Sequence, residues 1–299
     1  MHIGLLGCGR WGKLILTTLT GLGIRVTVYD TDPDTRRLAV PLGAAASGAS
    51  VADLANTDGL IVATPASTHR AVLEQIAYLG KPIFVEKPLA TSYADALSIA
   101  RLAMPPTFLM HIWRYHPGIR LMGELSQSGV LGEVLLLKTS RTNWTSPRTD
   151  TDSLRTLAPH DLTILLQILG YLPNPTAAVA ERHGGVIRGL TAFLGLAPAC
   201  VIDISTRYAD KRREVRVHGT KGVAVLAGEK ADCIDVWFGD DQTPVADWRH
   251  ERLPFDTTPP LQLELMAFLE YLQGGKAPLS PLAEGVDIIR LLDAIEELT

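Results

Sequence analysis

His2-Ile3-Gly4-Leu5-Leu6-Gly7-Cys8-Gly9-Arg10-Trp11-Gly12, at the start of the chain, carries its clearest fold signal. An apolar run of strand length leads straight into a glycine-x-glycine-x-x-glycine turn and then into helix-like residues. Each glycine answers a steric demand. Gly7 permits the tight turn out of the strand, Gly9 lets backbone approach a pyrophosphate, and Gly12 lets the helix pack close to the strand. A helix amino terminus placed there offers unpaired N–H groups and a positive dipole end to phosphates, with Arg10 and Trp11 at the same opening. Taken alone the motif is weak, because glycines punctuate many turns. It gains weight from the next apolar run, residues 26–29, which ends in Asp30. An acid at that point accepts hydrogen bonds from the ribose hydroxyls of a dinucleotide.

Working outward, apolar runs at residues 3–6, 26–29, 60–63, 83–85 and 107–111 alternate with helical periodicity, clearest at 69–79 and 93–102. That alternation predicts a doubly wound parallel sheet covered on both faces, a Rossmann architecture in an α/β protein. Beyond residue 116 the texture changes. Strand-like runs at 134–140, 179–181, 189–196, 200–206, 214–218 and 223–226 follow in succession, so an α+β domain with a large, mostly antiparallel sheet is expected. An apolar helix at 162–169, with Pro159 at its first turn, interrupts the strands, and helices near 261–272 and 283–298 close the chain. The predicted domains are residues 1–116 for a dinucleotide and 117–299 for substrate and oligomerisation, with the crossover near Tyr115 to Gly118.

Composition removes several classes of function. With 299 residues, 46% hydrophobic and 20% charged, the chain can bury a large core and has no disordered composition. Net charge −4 and pI near 6.1 give no electrostatic case for nucleic acid or an anionic membrane. Lys211-Arg212-Arg213 reads as a solvated turn between strand-like runs. The apolar opening resembles a secretion signal, but Arg10 and Lys13 interrupt it and no small-residue cleavage site follows. Cys8, Cys200 and Cys233 are odd in number and far apart, so neither disulfides nor a metal site is expected and a cytoplasmic setting fits.

Several residues fall where a dinucleotide should lie. Asp30 favours NAD, because its carboxylate repels the 2′-phosphate of NADP; Arg36 and Arg37 read as solvated helix charges. Thr64 and Pro65 end a strand at the side where such sheets bind ligands, with His69 behind them as a cap, a packing residue or a ligand contact. Glu86-Lys87-Pro88 ends the next strand and places a lysine where the nicotinamide should lie.

Taken with the glycine loop and Ala63-Thr64-Pro65, that tripeptide resembles the glucose-fructose oxidoreductase / inositol dehydrogenase / MocA family. The likeness continues through Arg114-Tyr115-His116-Pro117, Gly129-Val130-Leu131-Gly132-Glu133, Leu157-Ala158-Pro159-His160-Asp161-Leu162 and Gly219-Thr220-Lys221-Gly222. The form around His160 is most similar to members that act on sugars or sugar nucleotides. The resemblance implies NAD(P)-dependent oxidation of a secondary alcohol on a sugar, sugar derivative or cyclitol, or the reverse reduction. It implies that Lys87 stabilises the developing alkoxide, that His160 moves the hydroxyl proton, and that Glu86 orients Lys87 and the ribose edge. It further implies a homodimer or homotetramer formed through the second sheet.

One position departs from the pattern. Many relatives carry an aspartate four residues before the histidine; here Thr156 stands there, and a hydroxyl cannot supply a carboxylate's charge. Asp152 or Asp161 could substitute, His160 and Lys87 could act alone, or the protein could be weakly active. Arg114, Tyr115, His116, Asn143 and Trp144 flank the crossover and the first long strand, and are the expected substrate contacts, although Trp144 reads equally as a core or interface aromatic. Two other functions fit the same family: an NAD-recycling glycoside hydrolase and a non-catalytic dinucleotide-sensing regulator.

Overall fold

The computed structural model describes residues 1–144 and 151–299. The chain forms two compact units, Met1–Ile112 with Pro259–Ile289 and Trp113–Thr258 with Arg290–Thr299. The first therefore takes in residues 259–289, which the sequence alone assigns to the second.

The first unit runs β1 (His2–Leu6), α1 (Arg10–Gly21), β2 (Arg25–Tyr29), α2 (Pro33–Ala39), β3 (Ala46–Gly48), β4 (Gly59–Val62), α3 (His69–Ile76), β5 (Ile83–Glu86), α4 (Tyr93–Ala100) and β6 (Thr107–Met110). All six strands are parallel, in the order β3-β2-β1-β4-β5-β6. Every residue of β4, β5 and β6 is buried, as a sheet covered on both faces requires. The expected strands and helices of this half are present. The addition is β3, an edge strand of sequence Ala-Ser-Gly that offers no apolar run to read.

The second unit runs α5 (Pro117–Gln127), β7 (Val134–Trp144), α6 (Ser153–Leu169), β8 (Pro175–His183), β9 (Val186–Leu194), β10 (Ala199–Ser205), β11 (Arg207–Gly219), β12 (Gly222–Leu226), β13 (Cys233–Phe238) and β14 (Arg249–Pro254). Its eight strands lie in the order β14-β13-β12-β11-β7-β10-β9-β8. The pairs are antiparallel except β7 with β10. Leu137, Thr139 and Arg141 alternate inward along β7, and α6 packs on β7, β9 and β10. The helices α7 (Pro260–Leu272) and α8 (Leu282–Glu297) end the chain.

Three sequence expectations are corrected. Helix α6 begins at Ser153, well before the apolar segment, because the Asp152 side chain accepts the Arg155 N–H and caps it. Pro159 consequently lies inside the helix rather than at its first turn, at the cost of one i→i−4 hydrogen bond. The run Lys211-Arg212-Arg213 is within β11, not in a turn: Lys211 and Arg212 pair with Glu229 and Asp210, while Arg213 turns inward to donate to the Thr142 carbonyl. Lastly, β13 and β14 extend the sheet beyond the strands expected.

The carboxy-terminal helix α7 is built into the first unit's core. Leu261, Leu265, Phe268 and Leu269 join a cluster with Ile3, Leu5, Ile15, Leu16 and Phe84. The Phe268 ring stacks on Phe84 with centroids 5.0 Å apart. Nearby, His111 Nδ1 and Glu284 Oε1 form a buried pair at 2.9 Å.

Candidate active site

The glycine loop has the geometry its spacing predicts. Gly7 adopts φ +89°, a region disfavoured for side-chain-bearing residues, and a Cβ there would stand 2.7 Å from the Ala63 carbonyl oxygen. A Cβ on Gly12 would fall 2.1 Å from the Gly7 carbonyl oxygen, whereas one on Gly9 would meet nothing within 4 Å. The first and third glycines thus serve packing, and the second leaves open space over the start of α1. Asp30, just past β2, accepts the Cys8 N–H at 2.8 Å and the Asp32 N–H at 3.0 Å. Its two oxygens brace the loop and retain lone pairs for further donors. Arg36 is not simply solvated: its Nη1 donates to the carbonyls of Asp30 at 2.5 Å and Thr31 at 3.2 Å, closing the end of β2. These residues fit a bound dinucleotide, with open backbone at a helix start for the phosphates and an acid beyond the second strand for the ribose.

At the end of β4, Thr64 is half-buried and Pro65 exposed. His69 is fully buried, its Nδ1 3.0 Å from the Pro88 carbonyl oxygen and 3.2 Å from that of Leu89, and its Nε2 3.0 Å from the Thr64 carbonyl oxygen. Burial lowers its pKa against the pull of these carbonyls. Of its possible roles, the geometry gives it that of a brace tying the β4 loop to the Glu86-Lys87-Pro88 turn.

That turn carries the most distinctive electrostatics of the unit. Glu86, 8% exposed, accepts the indole N–H of Trp11 and the backbone N–H of Lys87, the latter at 3.1 Å. Burial raises its carboxyl to about 7, opposed by the Lys87 charge and by both donors. The half-buried Lys87 follows at once, joined to Pro88 by a cis peptide. Trp11, on the first turn of α1 and 38% exposed, thereby couples the glycine loop to the lysine turn. Arg10 is exposed beside it.

In the second unit, Thr156 and His160 both lie on α6, four residues apart and therefore on one face; the early start of the helix creates that relation. Neither substitute acid is idle. Asp152 caps α6 and pairs with Arg155, which also bonds Asp293 and Glu296. Asp161 is 1% exposed and accepts from Arg141 Nε at 2.8 Å, while the Arg141 guanidinium lies 4.4 Å over the Trp113 ring.

The five expected substrate contacts divide. Tyr115 and His116 are buried. His116 caps α5 by accepting the Gly118 N–H at 3.1 Å, stacks on Trp113 with centroids 5.0 Å apart, and meets Phe255 edge-on. Burial and the Arg141 charge lower it to about 4, so it is neutral at physiological pH. Arg114 reaches Gln167 at 3.3 Å, and Asn143 accepts from Arg213 at 2.8 Å. Trp144 is 65% exposed under the Arg207 guanidinium, which excludes a core role within this chain.

Arg141 and Glu264, both buried, are functional candidates that motif reading alone does not single out. Periodicity could have found them. Arg141 shares the inward face of β7 with Leu137 and Thr139, and Glu264 stands on the apolar stripe of α7 with Leu261, Leu265 and Phe268.

A Rossmann sheet with an open glycine loop, an acid just past its second strand and a lysine at a strand's carboxyl end fits a dinucleotide-dependent oxidoreductase. Residues 1–105 match the model of the oxidoreductase family with NAD-binding Rossmann fold. Among curated relatives, inositol 2-dehydrogenase of Burkholderia vietnamiensis is 32% identical over 304 residues, 92% of this chain and 87% of that protein. Inositol 2-dehydrogenase 2 of Saccharopolyspora erythraea is 30% identical over 63% of this chain, which spans 59% of that relative's length. Solved structures with the same fold include levoglucosan dehydrogenase in complex with NADH and L-sorbose, with TM-score 0.86 and 17% identity over 100% of this chain and 96% of that one. UDP-N-acetylglucosamine 3-dehydrogenase of Acidithiobacillus ferrooxidans gives TM-score 0.85 and 21% identity over 100% and 97%. The chain belongs to the glucose-fructose oxidoreductase / inositol dehydrogenase / MocA family, and it is a dehydrogenase. Among the described residues, no helix is long and apolar enough to cross a membrane.

Proposed function

We propose that the chain oxidises a secondary alcohol of a cyclitol, sugar or sugar derivative with NAD, or runs the reverse reduction. The observation that carries this reading is the Glu86-Lys87 turn, where a buried carboxyl held by Trp11 adjoins a lysine at the carboxyl end of β5. NAD held by the glycine loop, Asp30 and the Glu86-Lys87 turn would supply the hydride acceptor. Lys87 supplies the cation that stabilises the alkoxide as its C–O bond becomes a carbonyl. Glu86 holds that lysine in place and favours its charged form. In the second unit, His160 takes the hydroxyl proton, a role that rests on the family resemblance. Thr156 orients by hydrogen bonding from the same face of α6.

NAD is proposed over NADP because the Asp30 carboxylate lies where a 2′-phosphate would be repelled. Cyclitols are the first substrate class to try, since the inositol 2-dehydrogenase from Burkholderia is matched along most of its length. Sugars and nucleotide sugars follow, from the names of the structural neighbours. Arg114, Asn143 and Trp144 are the proposed substrate contacts; Tyr115 and His116 support them from within the core. We further propose a cytoplasmic homodimer or homotetramer, assembled through the open face of the second sheet where Val179 and Phe193 are exposed. Light scattering reads its mass.

The test is NADH formation, followed by absorbance, across inositols, sugars, amino sugars and nucleotide sugars. Lysine-dependent reduction of NAD by one of these classes is the expected result. No NADH with any of them, in protein shown by calorimetry to bind NAD, overturns the reading.

A further inference from the structure

A second acid lies beneath the lysine turn. Glu264 of α7 has no exposed surface, and neither carboxyl oxygen has a hydrogen-bond partner among the described residues. Buried polar groups are nearly always partnered, so a lone one calls for a reason. Its position supplies one. The Phe84–Phe268 stack fixes the packing of α7 on β5. Glu86 is two residues along the strand from Phe84, on the same face. Glu264 is four residues before Phe268, on the same face of the helix. Glu86 is the charged group that acts on Glu264; Trp11 presents only a neutral N–H, and His111 and Glu284 are paired with each other.

The two acids differ in what they are offered. Glu86 has two N–H donors and the Lys87 ammonium to stabilise a negative charge. Glu264 has none, and burial together with the Glu86 charge pushes its pKa well above the usual carboxylate range. A buried carboxyl in that setting keeps its proton.

We propose that Glu264 is a positioning residue acting through Glu86: it carries the proton while Glu86 carries the charge, so that two buried acids present a single anion to Lys87. The inference rests on the assignment of Lys87 to the reaction centre. An un-ionised Glu264 adds a dipole that favours the Glu86 anion without a second negative charge, which would bind Lys87 more tightly than alkoxide stabilisation requires.

The experiment has two arms. Infrared difference spectra of the wild type and Glu264→Gln at about pH 8 read the carbonyl stretch of a protonated carboxylic acid, with no dependence on turnover. The band is expected in the wild type and absent from the variant. Its absence from the wild type shows Glu264 ionised and overturns the proposal. In the second arm, the acid limb of kcat/KM is expected to move up by about one pH unit in Glu264→Leu, as a charge-stabilising interaction is lost. Glu264→Gln, whose amide can donate to Glu86, is expected to restore the limb; Glu264→Met replaces the leucine variant if that does not fold. An infrared band with an unmoved limb shows a proton without a positioning role, and overturns the proposal. If no substrate turns over, the functional reading fails separately, and the same limb is read in the pH dependence of NAD affinity.

Discussion

Asp161 in the second unit and Glu264 in the first are both buried acids whose carboxyls burial raises, yet the chain treats them oppositely. Asp161 is answered by a buried arginine at 2.8 Å, itself stacked on Trp113. Glu264 is answered by another acid and by no donor among the described residues. The first arrangement pairs an acid with a base and fixes a helix beside His160. The second keeps a proton and leaves the charge on Glu86. Burial alone therefore does not decide what an acid does; its donors do.

The contrast breaks most severely at Arg141. Arg141→Met strands Asp161 without its counter-charge, and we expect a loss of about 3–5 kcal/mol in denaturant unfolding at neutral pH. A loss under about 1 kcal/mol, within the range of an exposed pair, would show that the pair matters little. Next is Glu86. Its folded pKa of about 7 exceeds the usual 4.5, so its contribution to stability is fully present below the unfolded value and is lost as pH rises through about 7. Glu86→Gln is expected to remove that decline, a change of up to about tenfold in the folding constant per pH unit across this window. Equal slopes in wild type and variant, from unfolding curves at several pH values, would contradict it.

Glu264→Leu should cost far less stability than Arg141→Met. Removing a buried acid without donors is expected to offset the loss of the interaction that favours the Glu86 anion, leaving stability at neutral pH within about 1 kcal/mol of wild type even as the acid limb of activity shifts. A large loss of stability would place Glu264 with Asp161 as a structural acid. The smallest expected effect is at Asp30. Asp30→Ala should cut the preference for NAD over NADP by about tenfold, as one charge-dependent discrimination is lost. Unchanged ratios of dissociation constants would shift that discrimination elsewhere, with Arg36 the first residue to test.

The two units also differ in how far their sequence reveals them. In the first, strands buried on both faces appear as plain apolar runs, and the glycine spacing states a backbone requirement, so β1, β2, β4, β5 and β6 and the loop between β1 and α1 were legible. In the second, half-buried strands mix polar and apolar residues. Thus β13, with Asp235 among apolar neighbours, and the charged β14 passed unread. The start of α6 was missed because Pro159 reads as a helix start, while the Asp152 cap lies seven residues earlier. Lys87 and Glu86 could be named from a motif. Their electrostatic setting could not, because Trp11 lies 75 positions away in sequence from Glu86, and Glu264 reaches the site only because α7 packs into the first unit.

The most direct test of the account is a single-turnover comparison of wild type and Lys87→Ala with a substrate from the active class, after calorimetry has measured NAD binding to each. The variant is expected to bind NAD within about threefold of wild type, a difference under 1 kcal/mol. Its hydride transfer is expected to be at least about a hundredfold slower, the scale of removing one group aimed at developing charge. Hydride transfer at the wild-type rate in a variant that binds NAD normally would contradict it.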